Sequence, residues 1–280
     1  LFTSNYYDNE VVKPVINIDD EWGRLLVSQL EGRCWKCSLE NNVIKNEEVE
    51  LHISDLEITP RGMQGRLYTP IGNGVFISPL IGRFNLMNLL QAVGVLIQQE
   101  IPLQALLDAV LDFPGVPGRM EKITINKVDD FSDTPTVIVD YAHTPDALKN
   151  ALIEIRPFCS GKITCVFGCG GDRDRTKRPK MGAIAAQFAD CIIITSDNPR
   201  NETPLSIIQD ILNGIPNGID VSVEVDRAKA IQLAISSASS TDLILLAGKG
   251  HENYQIIGNT KKAFDDREYA RRALSMKSRS

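Results

Sequence analysis

Short apolar runs alternate with longer amphipathic stretches throughout the second half of the chain. The apolar runs occupy 136–140, 162–167, 191–195, 220–225 and 242–247, and stretches with helical spacing lie near 145–156, 180–189, 204–213 and 227–238. Near-continuous apolar strands that alternate with helices are typical of βαβ units. The pattern therefore predicts a Rossmann-like α/β domain whose mostly parallel sheet carries helices on both faces.

The first part of the chain has a less regular pattern. Short apolar stretches occur at 11–18 and 25–30 within the polar residues 1–60, and helical spacing begins at Asn85 and again near 103–111. Between them, residues 66–81 alternate between apolar and polar and contain Gly72-Asn73-Gly74. This combination predicts a β-hairpin with its turn at the two glycines.

A short segment separates the two patterns. Residues 113–118 read Phe-Pro-Gly-Val-Pro-Gly, which neither a helix nor a strand tolerates. The chain has 280 residues, enough for two domains of ordinary size. We therefore place a domain boundary near residue 120 and expect one domain at 1–120 and the Rossmann-like domain at 121–280.

Composition and charge exclude several classes of function. The net charge is −6, with acidic and basic residues interspersed, which argues against a nucleic-acid surface. No apolar run approaches the roughly 20 residues that cross a bilayer, so we expect no membrane insertion. No signal peptide opens the chain, and residues 1–10, which begin with Leu and not Met, read like the middle of a longer sequence. We expect a cytoplasmic protein with a truncated N-terminus.

The six cysteines fit a reduced environment. Cys34 and Cys37 form a C-x-x-C pair, but no second such pair or histidine pair at zinc spacing accompanies it. We interpret the pair as part of a reduced surface loop. A metal or redox role is the alternative.

Polar residues follow the predicted strands where each one ends. The segments are 140–146 (DYAHTPD), 168–175 (GCGGDRDR), 197–200 (DNPR) and 248–252 (GKGHE). Ligands of open parallel sheets bind beyond the carboxyl ends of the strands. The sequence therefore predicts one composite ligand-binding site at this edge.

The segment 197–200 offers both signs of charge. Arg200 has a planar fork suited to a carboxylate, whereas Asp197 and the amide of Asn198 accept hydrogen bonds from an ammonium group. Pro199 stiffens the segment, and Glu252 offers a further acceptor. A zwitterionic amino acid suits this set. The alternative is a turn that satisfies itself through an Asp–Arg pair.

The remaining polar groups leave more than one interpretation open. The glycines at 168–171 do not match the dinucleotide motif, and they admit close approach of an anion or another loop. Arg173 and Arg175 are either forks for an anion or solvated loop charges. Lys249 lies between two glycines, but the GxxxxGK[ST] spacing of a phosphate-binding Walker loop is absent from the chain. His143 and His251 are bases or packing residues.

The sequence resembles the Mur ligase family over nearly its whole length. The matching stretches are NIDDEWGRLL (17–26), GRFNLMNLLQAVGVL (82–96), PGRMEKI (117–123), VDYAHTPDAL (139–148), CVFGCGGDRDRTKRPKMGAIA (165–185), DNPRNETP (197–204) and LLAGKGHENYQI (245–256). The resemblance implies a central ATP-binding α/β domain, of which residues 1–120 are the later part, followed by the family's C-terminal domain. It also implies a reaction in peptidoglycan precursor synthesis, with ATP and Mg²⁺ as cofactors.

That reaction joins an amino acid to a peptide carboxyl. ATP phosphorylates the D-Glu carboxyl of UDP-N-acetylmuramoyl-L-Ala-D-Glu, and a diamino acid attacks the acyl phosphate. The DNPR form of 197–200 resembles the branch that adds meso-diaminopimelate. Lysine-adding relatives differ at the arginine, which receives the second carboxylate of diaminopimelate.

The resemblance also assigns roles to single residues. It implies that Asn17 contacts adenine and that Arg119 and Asp140 contact the nucleotide. The amino-acid pocket would comprise Arg173, Asp197, Asn198, Pro199, Arg200, Gly248 and Glu252. His143 is a further candidate.

The family's P-loop, its UDP-sugar domain and its carbamoylated lysine have no counterpart here, so no catalytic or metal-binding residue is assigned. We expect a monomer that is inactive by itself. The alternatives are a lysine-adding or folate-polyglutamylating ligase, a non-catalytic remnant, and a dehydrogenase.

Overall fold

The fold is that of a computed structural model, which describes residues 13–41, 45, 47–59, 62–125 and 134–278. Contacts within the chain divide it into two compact units, the first ending at Pro114 and the second beginning at Gly115. This division falls inside the segment 113–118, a few residues before the boundary expected from the sequence.

The first unit contains a five-stranded sheet. Its strands, in spatial and chain order, are β1 (Val15–Asn17), β2 (Trp35–Ser38), β3 (Leu51–Thr59), β4 (Gly62–Thr69) and β5 (Gly72–Ser78). The first three pair in parallel, and the last two pairings are antiparallel. Its helices are α1 (Glu21–Gln29), α2 (Arg83–Gln98) and α3 (Leu103–Asp112).

Helix α2 forms where helical spacing was predicted. It buries Leu86, Leu90, Val93 and Ile97, which recur every three or four residues and so share one side of the helix. This side contacts β1, β2 and β3. The helix therefore anchors the parallel part of the sheet.

The hairpin exists, but its turn is not where the glycines predicted it. Thr69 pairs with Gly72, so the turn consists of residues 70 and 71, and Gly74 lies inside β5. A Cβ atom on Gly74 would lie 2.5 Å from Cδ1 of Leu107, which is on α3. The glycine thus lets Leu107 of α3 pack closely on β5 and does not form the turn.

The surface-loop interpretation of the C-x-x-C pair is wrong. Cys37 lies in β2 and is fully buried, and Cys34 just before it is 4% exposed. Burial raises the pKa of the Cys37 thiol to about 12, so this thiol packs as a small hydrophobe. Within the described part of the chain, no cluster of His, Cys, Asp and Glu side chains could hold a metal ion.

The second unit contains the predicted parallel sheet. Its strands, in chain order, are β6 (Glu121–Lys122), β7 (Thr136–Asp140), β8 (Ile163–Phe167), β9 (Cys191–Ile194), β10 (Val221–Val223) and β11 (Leu243–Ala247). The spatial order is β10-β9-β8-β11-β7-β6, and only the β6–β7 pairing is antiparallel. The fold class predicted from the apolar runs is confirmed.

Helices cover this sheet. They are α4 (Pro145–Ile155), α5 (Lys177–Phe188), α6 (Pro204–Leu212), α7 (Arg227–Ser237) and α8 (Asp266–Lys277). Helices α7 and α8 pack on the face that carries Val137, Val139 and Leu246. Helix α5 contacts both α4 and α6, and the apolar sides of all three helices are buried. Alternate strand residues therefore point into two apolar layers.

Three elements differ from the sequence pattern. Strand β10 is shorter than the predicted run at 220–225, because only one side of this edge strand has a partner and two of its three residues are exposed. Helix α8 and a two-stranded hairpin, β12 (Tyr254–Ile257) and β13 (Thr260–Ala263), were not predicted. Among the described residues, no helix combines the length and the apolar character needed to cross a bilayer.

Candidate ligand-binding site

The loops that follow β7, β8, β9 and β11 meet at one edge of the parallel sheet. The backbone N–H of Gly248 donates to the carbonyl of Asp140 at 3.0 Å, which links the ends of β11 and β7. The N–H of Gly171 donates to the carbonyl of Asn198 at 2.9 Å, which links the loops after β8 and β9. The sequence segments expected to share a site are therefore neighbours.

Glycines permit these loops to approach one another. A Cβ atom on Gly168 would lie 2.2 Å from the carbonyl oxygen of Thr195, and one on Gly171 would lie 1.9 Å from that of Pro199. Both distances are shorter than any real Cβ contact. Of the two interpretations left open for the glycines at 168–171, the structure shows the approach of another loop.

Asn198 ties three segments together. It is 4% exposed, and its Oδ1 accepts the N–H of Ile256 at 2.9 Å, while its Nδ2 donates to Oε2 of Glu252 at 2.9 Å. The loop after β9 is thereby joined to the loop after β11 and to β12. A buried amide with this many partners fixes the positions of its neighbours.

Arg200 presents part of its guanidinium for binding. Its φ is +50°, and its backbone N–H donates to the carbonyl of Ile256 at 3.1 Å, so the residue is pinned beside β12. Its Nη1 donates to the carbonyl of Gly171 at 2.8 Å. In the part of the chain that the structure describes, Nε and Nη2 form no hydrogen bond.

Asp197 does not pair with Arg200, so the self-satisfied turn considered above is not what the structure shows. The Asp197 side chain is buried at 8% exposure, and no hydrogen bond reaches its carboxylate from any described residue. Burial raises the pKa of this carboxyl, and the nearby charges of Arg227 and Lys249 oppose the rise. The carboxylate oxygens are therefore without a donor among the described residues.

Lys249 is fully buried, which its place between two glycines did not suggest. Its Nζ lies 3.2 Å from Oε2 of Glu252 and 3.4 Å from Oδ1 of Asn198. The same nitrogen lies 5.6 Å from the centre of the Tyr254 ring. The ammonium group is therefore inside the site and not on a solvated loop.

A buried arginine supports the loop after β8. Arg178 donates to both carboxylate oxygens of Glu202, at 2.7 and 2.9 Å, and the N–H of Asp172 donates to the same carboxylate at 2.7 Å. The hydrogen bond from Arg178 is the main reason that the pKa of Glu202 falls to about 2. The next residue after Asp172, Arg173, is exposed, and its Nη1 donates to the carbonyl of Asp172 at 3.2 Å.

A second group of side chains surrounds the end of β7. The carboxylate of Asp140 accepts the N–H groups of Met120 and Ala142, each at 2.8 Å, and burial raises the pKa of this carboxyl. The Arg119 guanidinium lies 4.7 Å from the centre of the Tyr141 ring. Acid, base and aromatic ring thus lie within one short region.

Both histidines of the edge loops contact the Tyr141 ring. The ring centre of His143 lies 4.6 Å away and that of His251 lies 5.4 Å away, and Nδ1 of His143 is 2.8 Å from the carbonyl of Tyr141. Both imidazoles are exposed, so they cover the Tyr141 ring from the solvent side. Gly118 admits the His251 loop, because a Cβ atom there would lie 2.0 Å from the His251 nitrogen.

Asn17, the remaining predicted site residue, belongs to the first unit. It ends β1, its Nδ2 donates to Asp20 at 3.2 Å, and its Oδ1 accepts the N–H of Asp19 at 2.9 Å. Asp20 in turn caps α1 by accepting the N–H of Gly23 at 2.7 Å. The amide of Asn17 therefore fixes the entry into α1.

A buried ion pair that the sequence did not reveal supports the loop after β11. Arg227 donates to both oxygens of Asp266, at 2.8 and 2.7 Å, and both side chains are fully buried. The arginine also donates to the carbonyl of Ala247 at 3.0 Å, directly before Gly248. In the sequence, Arg227 is only a charged residue at the start of a predicted helix, and such a residue is usually exposed. The buried pair could therefore not be predicted.

Two family models match the chain. Residues 118–250 match the Mur ligase glutamate ligase domain, and residues 1–96 match the Mur ligase middle domain. The middle-domain match lies entirely before the division after Pro114, and the other match lies entirely after it. The family resemblance found in the loops is therefore confirmed over most of the sequence.

Individual relatives give the same result. A UDP-N-acetylmuramoyl-L-alanyl-D-glutamate–2,6-diaminopimelate ligase of Parasynechococcus marenigrum is 57% identical over 274 residues, covering 98% of this chain and 54% of that protein. The ligase of the same name from Trichormus variabilis is 50% identical over 276 residues, covering 98% and 53%. The chain spans about half the length of the curated relatives it matches.

Solved structures agree on the fold. One of a UDP-N-acetylmuramoyl-L-alanyl-D-glutamate–2,6-diaminopimelate ligase has a TM-score of 0.68 at 38% identity and covers 94% of this chain and 53% of that one. E. coli FolC in complex with ADP has a TM-score of 0.55 at 18% identity, with 82% and 48% covered. At that identity the second likeness concerns the fold alone.

Proposed function

Because the chain belongs to the Mur ligase family, we propose that it supplies the amino-acid pocket and part of the nucleotide site of a ligase that adds meso-2,6-diaminopimelate to the D-Glu of UDP-N-acetylmuramoyl-L-Ala-D-Glu. The reaction is ATP-dependent amide formation through an acyl phosphate, in cytoplasmic peptidoglycan precursor synthesis. Residues 1–120 belong to the central domain and residues 121–280 form the C-terminal domain of a monomeric enzyme.

Two side chains of one short segment support this proposal. Among the described residues, no hydrogen bond reaches the buried Asp197 carboxylate, and Nε and Nη2 of Arg200 form none. A ligand that fills both needs an ammonium group and a carboxylate. Diaminopimelate carries this pair at each end, so one end fills the pocket while the amine of the other end reacts. Lysine that reacts through its α-amine brings only its ε-ammonium to the pocket and no carboxylate.

The chain's own residues hold and orient the amino acid. Asp197 and Glu252 accept hydrogen bonds from an ammonium group, and Arg200 donates two parallel hydrogen bonds to a carboxylate. Arg173, being exposed, adds a second guanidinium on the solvent side. Holding one end of the diamino acid in this way fixes the direction from which its other amine attacks the acyl phosphate.

The nucleotide end of the proposal rests on Asp140 and Arg119. Asp140 is an acceptor suited to ribose hydroxyls, and Arg119 is a donor suited to phosphate. Bound ATP supplies the phosphoryl group that activates the D-Glu carboxyl. The described residues contain no cluster that could hold Mg²⁺. We assign the ion no ligand in this chain.

The amino-acid preference can be tested directly on this chain. Isothermal titration with meso-diaminopimelate, and with L-lysine in parallel, should show binding of the first and at least tenfold weaker binding of the second, from the loss of one charge-assisted contact. Stronger binding of lysine would favour the lysine-adding alternative. Binding of neither amino acid would contradict the proposed pocket.

A further inference from the structure

Lys249 occupies an unusual position within the proposed pocket. Gly248 and Gly250 flank it with φ values of +112° and +51°, and these left-handed conformations turn the lysine side chain inward. Its ammonium then sits against Glu252 and Asn198, at 3.2 and 3.4 Å, in a fully buried position. Burying an ammonium is costly unless the charge is used, so its presence needs a reason.

The charges around the pocket balance only when Lys249 is counted. Asp197 and Glu252 contribute two negative charges, and Arg200 contributes one positive charge. Lys249 brings the sum to zero. The charges of the buried Arg227–Asp266 ion pair cancel each other and do not change this sum. Arg173 is exposed, so solvent screens its charge. Without Lys249 the groups Asp197, Glu252 and Arg200 would carry one net negative charge.

The competing amino acids differ by one charge. At neutral pH meso-diaminopimelate has two ammonium and two carboxylate groups and is neutral, whereas lysine has a net charge of +1. A neutral pocket suits the first, and a pocket with one net negative charge suits the second.

Building on the proposed function, we propose that Lys249 is a specificity-determining residue that acts through Glu252. Its buried positive charge neutralises one negative charge of the pocket and thereby disfavours the binding of lysine. This effect adds to the attraction between Arg200 and the second carboxylate of diaminopimelate. It also holds Oε2 of Glu252, leaving Oε1 without a hydrogen bond from any described residue. Selectivity would then come from a repulsive group as well as an attractive one.

The test is isothermal titration of the full 280-residue chain with both amino acids, for the wild type and Lys249→Met. A unit charge acting over several ångströms at an effective dielectric constant of about 20 corresponds to roughly tenfold or more in affinity. We expect the ratio of the lysine Kd to the diaminopimelate Kd to fall by at least that factor. Lys249→Arg, which keeps the charge, should leave the ratio within about threefold of the wild type.

Controls separate this effect from loss of structure. Lys262→Met removes the same charge at an exposed position of β13 and should leave the ratio unchanged. Lys249→Gln removes the charge but keeps a donor, and should shift the ratio in the same direction if Lys249→Met does not fold. An unchanged ratio in a folded neutral variant, with both ligands weakened equally, would overturn the proposal. Wild-type chain that binds neither ligand would contradict the proposed function itself.

Discussion

Replacing Arg200 with methionine tests the amino-acid pocket most directly. Methionine keeps an unbranched apolar stem but removes the guanidinium, so Nε and Nη2 are no longer available to a carboxylate. It also keeps a β-carbon at φ +50°, so the backbone strain at this position stays the same. A glycine variant would relieve that strain and confuse the comparison.

The expected loss follows from the contacts. A hydrogen bond to a charged group contributes about 1.5–3 kcal/mol, which corresponds to roughly 10- to 150-fold in affinity. The Kd for meso-diaminopimelate should rise within that range in Arg200→Met. The Kd for L-lysine should change by less than about threefold, because lysine lacks the second carboxylate. Isothermal titration of both amino acids measures the two effects in one protein.

Two further variants make the interpretation unambiguous. Arg200→Lys keeps the charge without the fork and should give an intermediate loss. Arg272→Met makes the same substitution in an exposed helical pair and should change neither affinity. Equal weakening of both amino acids in Arg200→Met would refute the assignment, since it would mean that the lost bond to Gly171 had loosened the whole loop.

Three other substitutions probe the support of the site. Gly118→Ala should lower the free energy of unfolding by well over the roughly 1–2 kcal/mol that a left-handed alanine costs. Gly218→Ala, at φ +90° with open space around it, should cost only that amount. Denaturant titration measures both values. Arg227→Met should cost about 3–5 kcal/mol, and adding Asp266→Leu should recover most of it. Because the folded pKa of Glu202 lies below its ordinary value of 4.5, its stabilisation is complete above that pH and is lost as pH falls toward about 2. The Tm difference between wild type and Glu202→Gln should therefore vanish over this pH window.

The architecture of the second unit could be predicted because its central strands are buried on both faces. The runs predicted at 136–140 and 242–247 contain three and five consecutive apolar residues, and β7 and β11 occur at or within a residue of these runs. The β12–β13 hairpin is different, since it lies on the surface and β13 is fully exposed. Its signal was the Gly258-Asn259 turn, a two-residue hairpin connection, and not an apolar pattern.

The site could be predicted as a set of loops but not as a set of side-chain directions. The parallel topology alone implies that Asp140, Asp197 and Gly248 end up at one edge of the sheet. Which way Lys249 points depends on the left-handed conformations of its two neighbours, and the sequence offers glycines without revealing φ. The burial of Arg227 likewise depends on Asp266, 39 residues away along the chain.

The glycine contacts at the sheet edge limit how such a pocket can change. Gly168 and Gly171 touch the following loop through its main chain, so neither partner loop fits against an arbitrary substitute. We therefore expect that transplanting one of these loops into a relative would fail unless its neighbour came with it. For the proposed pocket, we therefore expect a new amino-acid preference to require changes at side chains such as those at 200 and 249, with the main-chain framework kept.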